Sequence, residues 1–225
     1  MITKTAFGRR RLLRALAAGA GLALLPASLV RALERSATPA QPRGPFYPRE
    51  IPLDSDSDLV RVAGRAGLAK GEVTHLFGHV TDDRGRPVTG ARVEIWQCDA
   101  NGRYHHPGDR RDDIPRDPDF QGYGQATTGA DGAYRFRTIR PVPYPGRAPH
   151  IHFAVSGPDF EPLVTQMYLR GAPENADDFL LNSIRDRALR DSLVVAFEPW
   201  TESDDAALVA RFEIVLAADG RFGRR

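Results

Sequence analysis

Short runs of alternating apolar and polar residues recur between residues 72 and 216, separated by turn-forming residues. Successive side chains of a β-strand point to opposite faces, so a period of two predicts strands. The GADG segment at 129–132 has the composition of a hairpin turn, in which glycine supplies a positive φ. The runs predicted to be strands are Glu72–Thr81, Ala91–Gln97, Tyr123–Thr128, Tyr134–Thr138, His150–Ser156, Leu163–Leu169 and Leu208–Leu216.

A clear helical pattern occurs at residues 176–192, where Phe179, Leu180, Ile184 and Leu189 fall near one face of a helix. Many short strands with regular turn signals and one short helix are typical of a β-sandwich. We therefore predict an all-β fold, an antiparallel β-sandwich with an extended N-terminal arm.

The arm precedes the first predicted strand. Residues 33–72 are rich in Pro, Gly, Ser and Asp and show little periodicity, which favours a linker and an extended segment. We expect the GPFYP sequence at 44–48, with Phe46 and Tyr47, to pack on the sandwich. The sandwich domain itself is assigned to residues 73–225.

The first 32 residues differ in composition from the rest of the chain. A basic segment is followed by an apolar run rich in Ala, Gly and Leu, the pattern of an export signal. Arg9 and Arg10 resemble the arginine pair of a twin-arginine signal. We predict that residues 1–32 are cleaved, leaving no stable membrane span and a periplasmic or extracellular protein. The alternative is an uncleaved leader that anchors the chain in the membrane.

Net charge and cysteine content reduce the range of possible functions and stabilising bonds. The leader holds six of the 31 basic residues and no acid, so its removal leaves 25 basic against 29 acidic side chains. A mature charge near −4 gives no support for nucleic-acid binding. Cys98 is the only cysteine, so an internal disulfide is excluded, and its apolar sequence context predicts a buried, unreactive thiol.

Four side chains with metal-binding chemistry lie close together in the sequence: Tyr104, Tyr144, His150 and His152. The two histidines form a His-x-His pair, which places both imidazoles on one face of a strand. Phenolate stabilises a trivalent cation, so this set suits ferric iron better than a structural zinc, which usually recruits cysteine. The prolines on either side of Tyr144 stiffen its loop and fix the direction of its ring.

Three segments in order carry a resemblance to a known family: GHVTDDRGRPVTGARVEIWQCDANGRYHH, GYGQATTGADGAYRFRTIRPVPYPGR and RAPHIHF. Together they resemble the intradiol ring-cleavage dioxygenases, and most of all the iron-bearing β chains of the protocatechuate 3,4-dioxygenase type. The resemblance runs from about Phe77 to about Leu169. It implies a mononuclear, non-haem ferric ion and O₂-dependent cleavage of a catechol, protocatechuate-like or another 1,2-dihydroxybenzene, to a cis,cis-muconate.

The resemblance also implies roles for individual residues. Tyr104, Tyr144, His150 and His152 match the metal ligands, and Tyr144 matches the ligand that the catechol displaces. Two further side chains match catalytic positions: Arg147, which stabilises charge on the bound catechol, and Gln166, which lines the same pocket. The partners implied are a small catechol and O₂, and an oligomer of several chains is compatible with the family.

One departure from the family lies between the second tyrosine and the first histidine. Only five residues separate Tyr144 from His150, where the β chains have a longer insertion. This change leaves the ligands intact but alters a wall of the pocket, so the identity of the catechol stays open. His105 and His106, which follow the first ligand, are interpreted as exposed loop histidines.

Two other functions compete with ring cleavage. A non-catalytic exported β-sandwich, such as a transthyretin-like binding module, accounts for GRPVTGARVEIW, but it needs neither Arg147 nor the His-x-His pair. A zinc or copper protein, either a hydrolase or a metal-storage protein, would keep the metal and change the chemistry. Metal analysis with an absorbance spectrum separates the three.

Overall fold

The computed structural model describes residues 35–157, 159–201 and 207–217, so the predicted export signal lies outside the described residues. Within these ranges no helix is long and apolar enough to cross a membrane. A 3₁₀ helix spans Pro173–Ala176 and an α-helix, α1, spans Arg187–Asp191. The strands are β1 Val73–Asp82, β2 Arg92–Trp96, β3 Tyr123–Thr127, β4 Ala133–Ile139, β5 His150–Gly157, β6 Phe160–Leu169, β7 Val194–Val195, β8 Phe197–Pro199, β9 Leu208–Arg211 and β10 Ile214–Leu216.

The strands form two sheets, which confirms the predicted all-β sandwich. The first sheet has the order β10-β1-β9-β8, with β4 paired to β1, and the second has the order β3-β2-β5-β6-β7. Most pairs are antiparallel, but β1–β9, β1–β10 and β6–β7 are parallel, so both sheets are mixed. Parallel pairs join strands that are distant in sequence and connected without a tight turn, so turn residues could not predict them.

All seven predicted strands are present, with one interrupted. The run predicted at Leu208–Leu216 divides into β9 and β10, because Phe212 leaves the strand and is buried in the core. The backbone N–H of Phe212 donates to the carbonyl of Phe77 at 2.9 Å. The two short strands β7 and β8 were not predicted, since two or three residues show no alternation.

The predicted helix at 176–192 is largely wrong. Only Arg187–Asp191 is α-helical, capped by Asp186, whose side chain accepts a hydrogen bond from Leu189 N at 3.1 Å. The preceding residues form turns, and Phe179, predicted on the apolar face of the helix, is 65% exposed. A series of turns repeats apolar residues at the same spacing as one side of a helix, which explains the misleading pattern.

The main core lies between the two sheets. It is built from inward-facing side chains of both, among them Leu76 and Phe136 of the first sheet and Ile151 and Phe153 of the second. All four are 0% exposed. Each fully buried side chain of this size stabilises the fold by about 1.5–3 kcal/mol. The aromatic ring of Phe153 also contacts that of Phe212, with centroids 4.9 Å apart.

The core contains a close backbone approach at Gly78 in β1. A Cβ atom there would lie 1.9 Å from the carbonyl oxygen of Phe212 and 2.6 Å from the Tyr134 hydroxyl, which donates to that same carbonyl. We expect Gly78→Ala to lower the free energy of unfolding by about 1–3 kcal/mol or more, because the backbone must shift. Urea unfolding measures this loss. Gly129→Ala is the control, because Gly129 has no positive φ and an added Cβ would meet only the side-chain carboxylate of Asp131; equal losses in both variants would contradict the close approach.

The arm is bonded to both sheets. Thr38 N donates to Val215 O of β10 at 3.0 Å, and Gln41 N donates to Val164 O of β6 at 2.8 Å. The Thr165 hydroxyl donates to the carbonyl of Pro39 at 2.7 Å. These bonds lead the GPFYP segment across the outer face of the second sheet, where the candidate site lies.

Candidate metal centre

Strand β5 positions the two histidines on the outer face of the second sheet. Ile151 and Phe153 point into the main core, so His150 and His152 point the other way, as the period of two predicts. In register, His152 lies opposite Trp96 of β2 and Gln166 of β6. The neighbouring strands on both sides therefore hold the imidazoles in place.

Two loops supply the tyrosines. The Tyr104 backbone N–H donates to the carboxylate of Asp109 at 2.9 Å, which folds the loop back on itself. Tyr144 begins a tight turn in which Arg147 N donates back to Tyr144 O at 2.9 Å, and Gly146 takes a positive φ of 79°. This turn lets a five-residue spacing return the chain to His150 beside the Tyr144 ring.

The four predicted ligand side chains converge. Tyr104 Oη lies 3.4 Å from His150 Nε2, which lies 3.2 Å from His152 Nε2. The Tyr144 ring centroid lies 5.7 Å from that of Tyr104 and 5.5 Å from that of His150. Tyr104, His150 and His152 are buried, whereas Tyr144 is only partly buried. The structure thus brings the four groups to one point, and their role as ligands stays a prediction.

Both imidazoles are held in the neutral form that binds a metal. Burial, with the nearby charge of Arg147, lowers the pKa of His150 to about 3. Burial, His150 and Arg147 together lower the pKa of His152 well below its ordinary value. His150 Nδ1–H donates to the carbonyl of Ala148 at 2.6 Å, which leaves the lone pair of Nε2 facing the other donors.

The two phenols are protonated in the protein alone. Burial raises the pKa of Tyr104 well above 10. Burial also raises the pKa of Tyr144, although the charge of Arg147 acts in the opposite direction. A multivalent cation beside these oxygens would reverse the shifts and favour the phenolates. Cys98 does not compete as a ligand, since burial raises the pKa of its thiol to about 12 and its Sγ faces the carbonyl of Val142.

This donor set fits a hard to borderline cation. Two phenol oxygens and two imidazole nitrogens face one another, and no thiolate is among them. The buried Nδ1 of His152 has no hydrogen-bond partner, and a cation would relieve the crowding of the two Nε2 lone pairs. Among residues 35–157, 159–201 and 207–217, no group of three or more His, Cys, Asp or Glu side chains could hold a metal.

The two predicted catalytic residues contact each other. Arg147 Nη2 donates to Gln166 Oε1 at 2.6 Å, and Arg147 Nη1 lies 3.5 Å from the Tyr144 hydroxyl. Gln166 is fully buried and donates in turn to the carbonyl of Pro42 in the arm at 3.2 Å. Asp178, which accepts a hydrogen bond from Arg147 Nε at 2.9 Å, was not predicted as a site residue. No motif surrounds Asp178, so nothing in the sequence indicated it.

Aromatic rings and the arm enclose the site. Phe46 stacks on Tyr104 with ring centroids 4.6 Å apart, and Trp96 stacks on His152 at 4.8 Å with nearly parallel planes. Gly44 has a φ of 74°, and a Cβ there would lie 3.3 Å from His152 Cε1. The arm therefore forms a wall of the site.

One of the two loop histidines predicted to be exposed is buried. His105 is exposed, as predicted, but His106 is only 4% exposed. Its Nδ1 accepts a hydrogen bond from Gly108 N at 2.9 Å, and its ring lies edge-on to Phe46. The tight turn after Tyr104 folds this imidazole beneath the arm, which a local sequence pattern does not reveal.

Two cavities border the candidate ligands. The larger, about 490 Å³, is lined by Phe46, Trp96 and Tyr104 together with arm and loop residues. The smaller, about 190 Å³, lies beside Tyr144 and Arg147. Space therefore adjoins both tyrosines, and the partly buried Tyr144 is the ligand candidate beside the smaller opening.

Comparison with known proteins identifies the family of this chain. A family model described as Dioxygenase matches residues 43–218. The protocatechuate 3,4-dioxygenase beta chain of Burkholderia cepacia is 41% identical over 180 residues, covering 76% of this chain and 76% of that one. The hydroxyquinol 1,2-dioxygenase of Corynebacterium glutamicum is 32% identical over 211 residues, covering 81% of this chain and 64% of that protein.

A solved structure agrees with these relatives. The dioxygenase domain of a dioxygenase carbohydrate-binding protein fusion from Streptomyces sp. SirexAA-E superposes with a TM-score of 0.62 at 30% identity. The match covers 81% of this chain and 99% of that domain. The motifs, the sandwich fold and these relatives agree, and the chain belongs to the intradiol ring-cleavage dioxygenases.

Proposed function

We propose that this protein is a mononuclear, non-haem ferric dioxygenase that cleaves a catechol between its two hydroxylated carbons, using O₂, to a cis,cis-muconate. The observation that carries the proposal is the convergence of Tyr104, Tyr144, His150 and His152, three of which are buried. The names of the relatives, which act on protocatechuate and hydroxyquinol, support a 1,2-dihydroxybenzene as the substrate class.

Iron would be held by the two phenolate oxygens and the two Nε2 atoms. When bound, a ferric ion supplies Lewis acidity, which favours ionised phenols and makes a chelated catechol reactive toward O₂. The protein supplies the remaining conditions. Both imidazoles are already neutral, so neither has to lose a proton when iron binds. The Ala148 carbonyl fixes the orientation of His150.

Tyr144 is the residue suited to receive a proton from the substrate. Its ring is the least buried of the four candidate ligands and borders the 190 Å³ cavity. A phenolate oxygen released there can accept a catechol proton, which is general-base catalysis without a carboxylate. The Arg147 N–H groups next to this oxygen favour its ionised form and stabilise negative charge on the substrate.

The substrate itself is proposed only to the level of its class. Arg147 Nε and Nη2 are bonded to Asp178 and Gln166, and Nη1 faces the Tyr144 oxygen, where it would stabilise charge on the catechol oxygens rather than on a ring carboxylate. A carboxylated catechol such as protocatechuate would need another cation near the cavities, for which Arg49 at the larger one is a candidate. Oxygen uptake with catechol, hydroxyquinol and protocatechuate compares the alternatives directly.

The proposal has a simple spectroscopic test. Protein purified with iron should be red-brown, because phenolate-to-iron charge transfer absorbs visible light, and it should consume O₂ when a catechol is added. A colourless, iron-free preparation that stays colourless after ferric iron is supplied would contradict the metal centre. A coloured protein without oxygen uptake on any catechol would contradict the reaction.

We further propose export through the twin-arginine route, on the strength of Arg9, Arg10 and the apolar run that follows. Replacing both arginines by lysine should keep the protein in the cytoplasm, which fractionation of cells measures. N-terminal sequencing of exported protein tests cleavage near residue 32 against a retained leader that anchors the chain. Size-exclusion chromatography of the iron-loaded protein tests for an oligomer.

A further inference from the structure

Asp178 is a buried carboxylate in the turn that follows the 3₁₀ helix, and its side chain is 0% exposed. Its Oδ2 accepts hydrogen bonds from Arg147 Nε and from Ala148 N, both at 2.9 Å. Its Oδ1 accepts from Leu180 N at 3.1 Å and from Leu181 N at 2.9 Å. An ionised carboxylate offers about four acceptor positions, so the acceptor capacity of Asp178 is fully used.

The carboxylate is ionised despite its burial. Burial alone would raise the pKa of Asp178, but the N–H groups of Leu181 and Ala148 and the charge of Arg147 outweigh it and hold the pKa below its ordinary value. A permanent negative charge therefore lies beside the guanidinium at neutral pH.

The guanidinium of Arg147 is fixed at three points. Nε is bonded to Asp178, and Nη2 is bonded to Gln166 at 2.6 Å and lies 3.4 Å from the Tyr168 hydroxyl. Because the group is planar and rigid, these contacts fix the position of Nη1. That nitrogen faces the Tyr144 hydroxyl at 3.5 Å.

Asp178 also supports the peptide that precedes the first histidine. The Ala148 N–H donates to Asp178, while the Ala148 carbonyl accepts from His150 Nδ1 at 2.6 Å. One carboxylate thus bonds both the side chain that faces Tyr144 and the backbone that orients His150.

We infer that Asp178 is a positioning residue of the reaction, which acts by aiming Arg147 Nη1 at the Tyr144 oxygen. The inference rests on the proposed function, in which Tyr144 receives a substrate proton and Arg147 stabilises the resulting charge. The carboxylate itself does not touch the substrate. Its effect on turnover passes through Arg147, and this dependence can be measured.

The test is a double-mutant cycle on iron-loaded protein with Asp178→Asn and Arg147→Ala. The Asn side chain keeps the size but loses the charge and one acceptor. We expect Asp178→Asn to lower kcat by about tenfold to a hundredfold, within the range for a lost electrostatic contact. In the Arg147→Ala background it should lower kcat per bound iron little further, because the group that it positions is gone. Any effect that passes through the Ala148 peptide and His150 would instead lower the iron content, which is measured in parallel. Losses that multiply in the double variant would overturn the inference.

Two further measurements keep the result interpretable if Asp178→Asn folds poorly. Arg147→Lys retains the charge but cannot contact Asp178, Gln166 and Tyr144 together, so its kcat should fall nearly as far as that of Arg147→Ala. Wild-type kcat in Arg147→Lys would overturn the inference. The control is Asp186→Asn, which removes a capping carboxylate of α1 that bonds Leu189 N, and it should retain wild-type kcat and KM.

The outcome is distinguishable from a failure of the proposed function. Wild-type protein that binds no iron and consumes no O₂ would refute the proposed function alone. In that case crystal structures still decide on Asp178. The guanidinium should lie within hydrogen-bond distance of the Tyr144 oxygen in the wild type and away from it in Asp178→Asn, and an unchanged guanidinium would overturn the inference.

Discussion

Tyr104→Phe is expected to yield folded protein that retains almost no iron and has no measurable ring-cleavage activity. The substitution removes one buried oxygen from the site and leaves the ring stacked on Phe46. Losing even an outer partner of a ligand costs about 10–100-fold in metal affinity, and losing a phenolate ligand should exceed this. A ferric ion would also lose one of its two anionic donors, leaving Tyr144 as the remaining phenolate. Iron content per chain, with absorbance in the visible range, measures the effect.

Tyr134→Phe is the matched control for this substitution. Tyr134 is 4% exposed, and its hydroxyl donates to a backbone carbonyl in the main core rather than facing the candidate ligands. We expect it to lose some stability, about 0.5–1.5 kcal/mol for one hydrogen bond, and to keep its iron. Normal iron content in Tyr104→Phe, or equal iron loss in both variants, would contradict the assignment of Tyr104 as a ligand.

Arg147→Ala is expected to keep iron and colour and to lose about a hundredfold in kcat, or about 3 kcal/mol of transition-state stabilisation. The four candidate ligands do not depend on the guanidinium for their donor atoms. Arg147 Nη1 faces the Tyr144 oxygen, where negative charge develops when the substrate gives up its protons. The loss should therefore fall on kcat more than on substrate binding.

The same variant leaves Asp178 without its cationic partner. Three backbone N–H groups still satisfy this carboxylate, from Ala148, Leu180 and Leu181. We expect a measurable loss of stability but a folded protein, so kcat is compared well below the unfolding temperature. Unchanged kcat in folded, iron-loaded Arg147→Ala would remove its proposed role.

Local sequence patterns predicted the sandwich because its strands alternate. All seven predicted runs are strands, and the period of two correctly placed His150 and His152 on one face. The failures lie where contacts are not local. The parallel pairing of β1 with β9 and β10 joins segments more than a hundred residues apart, and the turns at 177–183 imitate the spacing of a helix.

The residues of the site also divide into those that a local sequence pattern reveals and those that only tertiary packing brings to the site. The two tyrosines and the histidine pair are visible in the sequence, and the resemblance to a family added Arg147 and Gln166. Asp178 was missed because it reaches Arg147 across 31 positions of sequence. The buried position of His106 and the approach of the arm to His152 were missed for the same reason, since both depend on how distant segments pack.

The central claim is that two phenolates and two imidazoles share one ferric ion. Anomalous diffraction at the iron absorption edge, from crystals of protein purified with iron, tests it most directly. We expect one strong peak, with Tyr104 Oη, Tyr144 Oη, His150 Nε2 and His152 Nε2 as its nearest protein atoms. A peak elsewhere on the protein, or none from iron-loaded crystals, would contradict it.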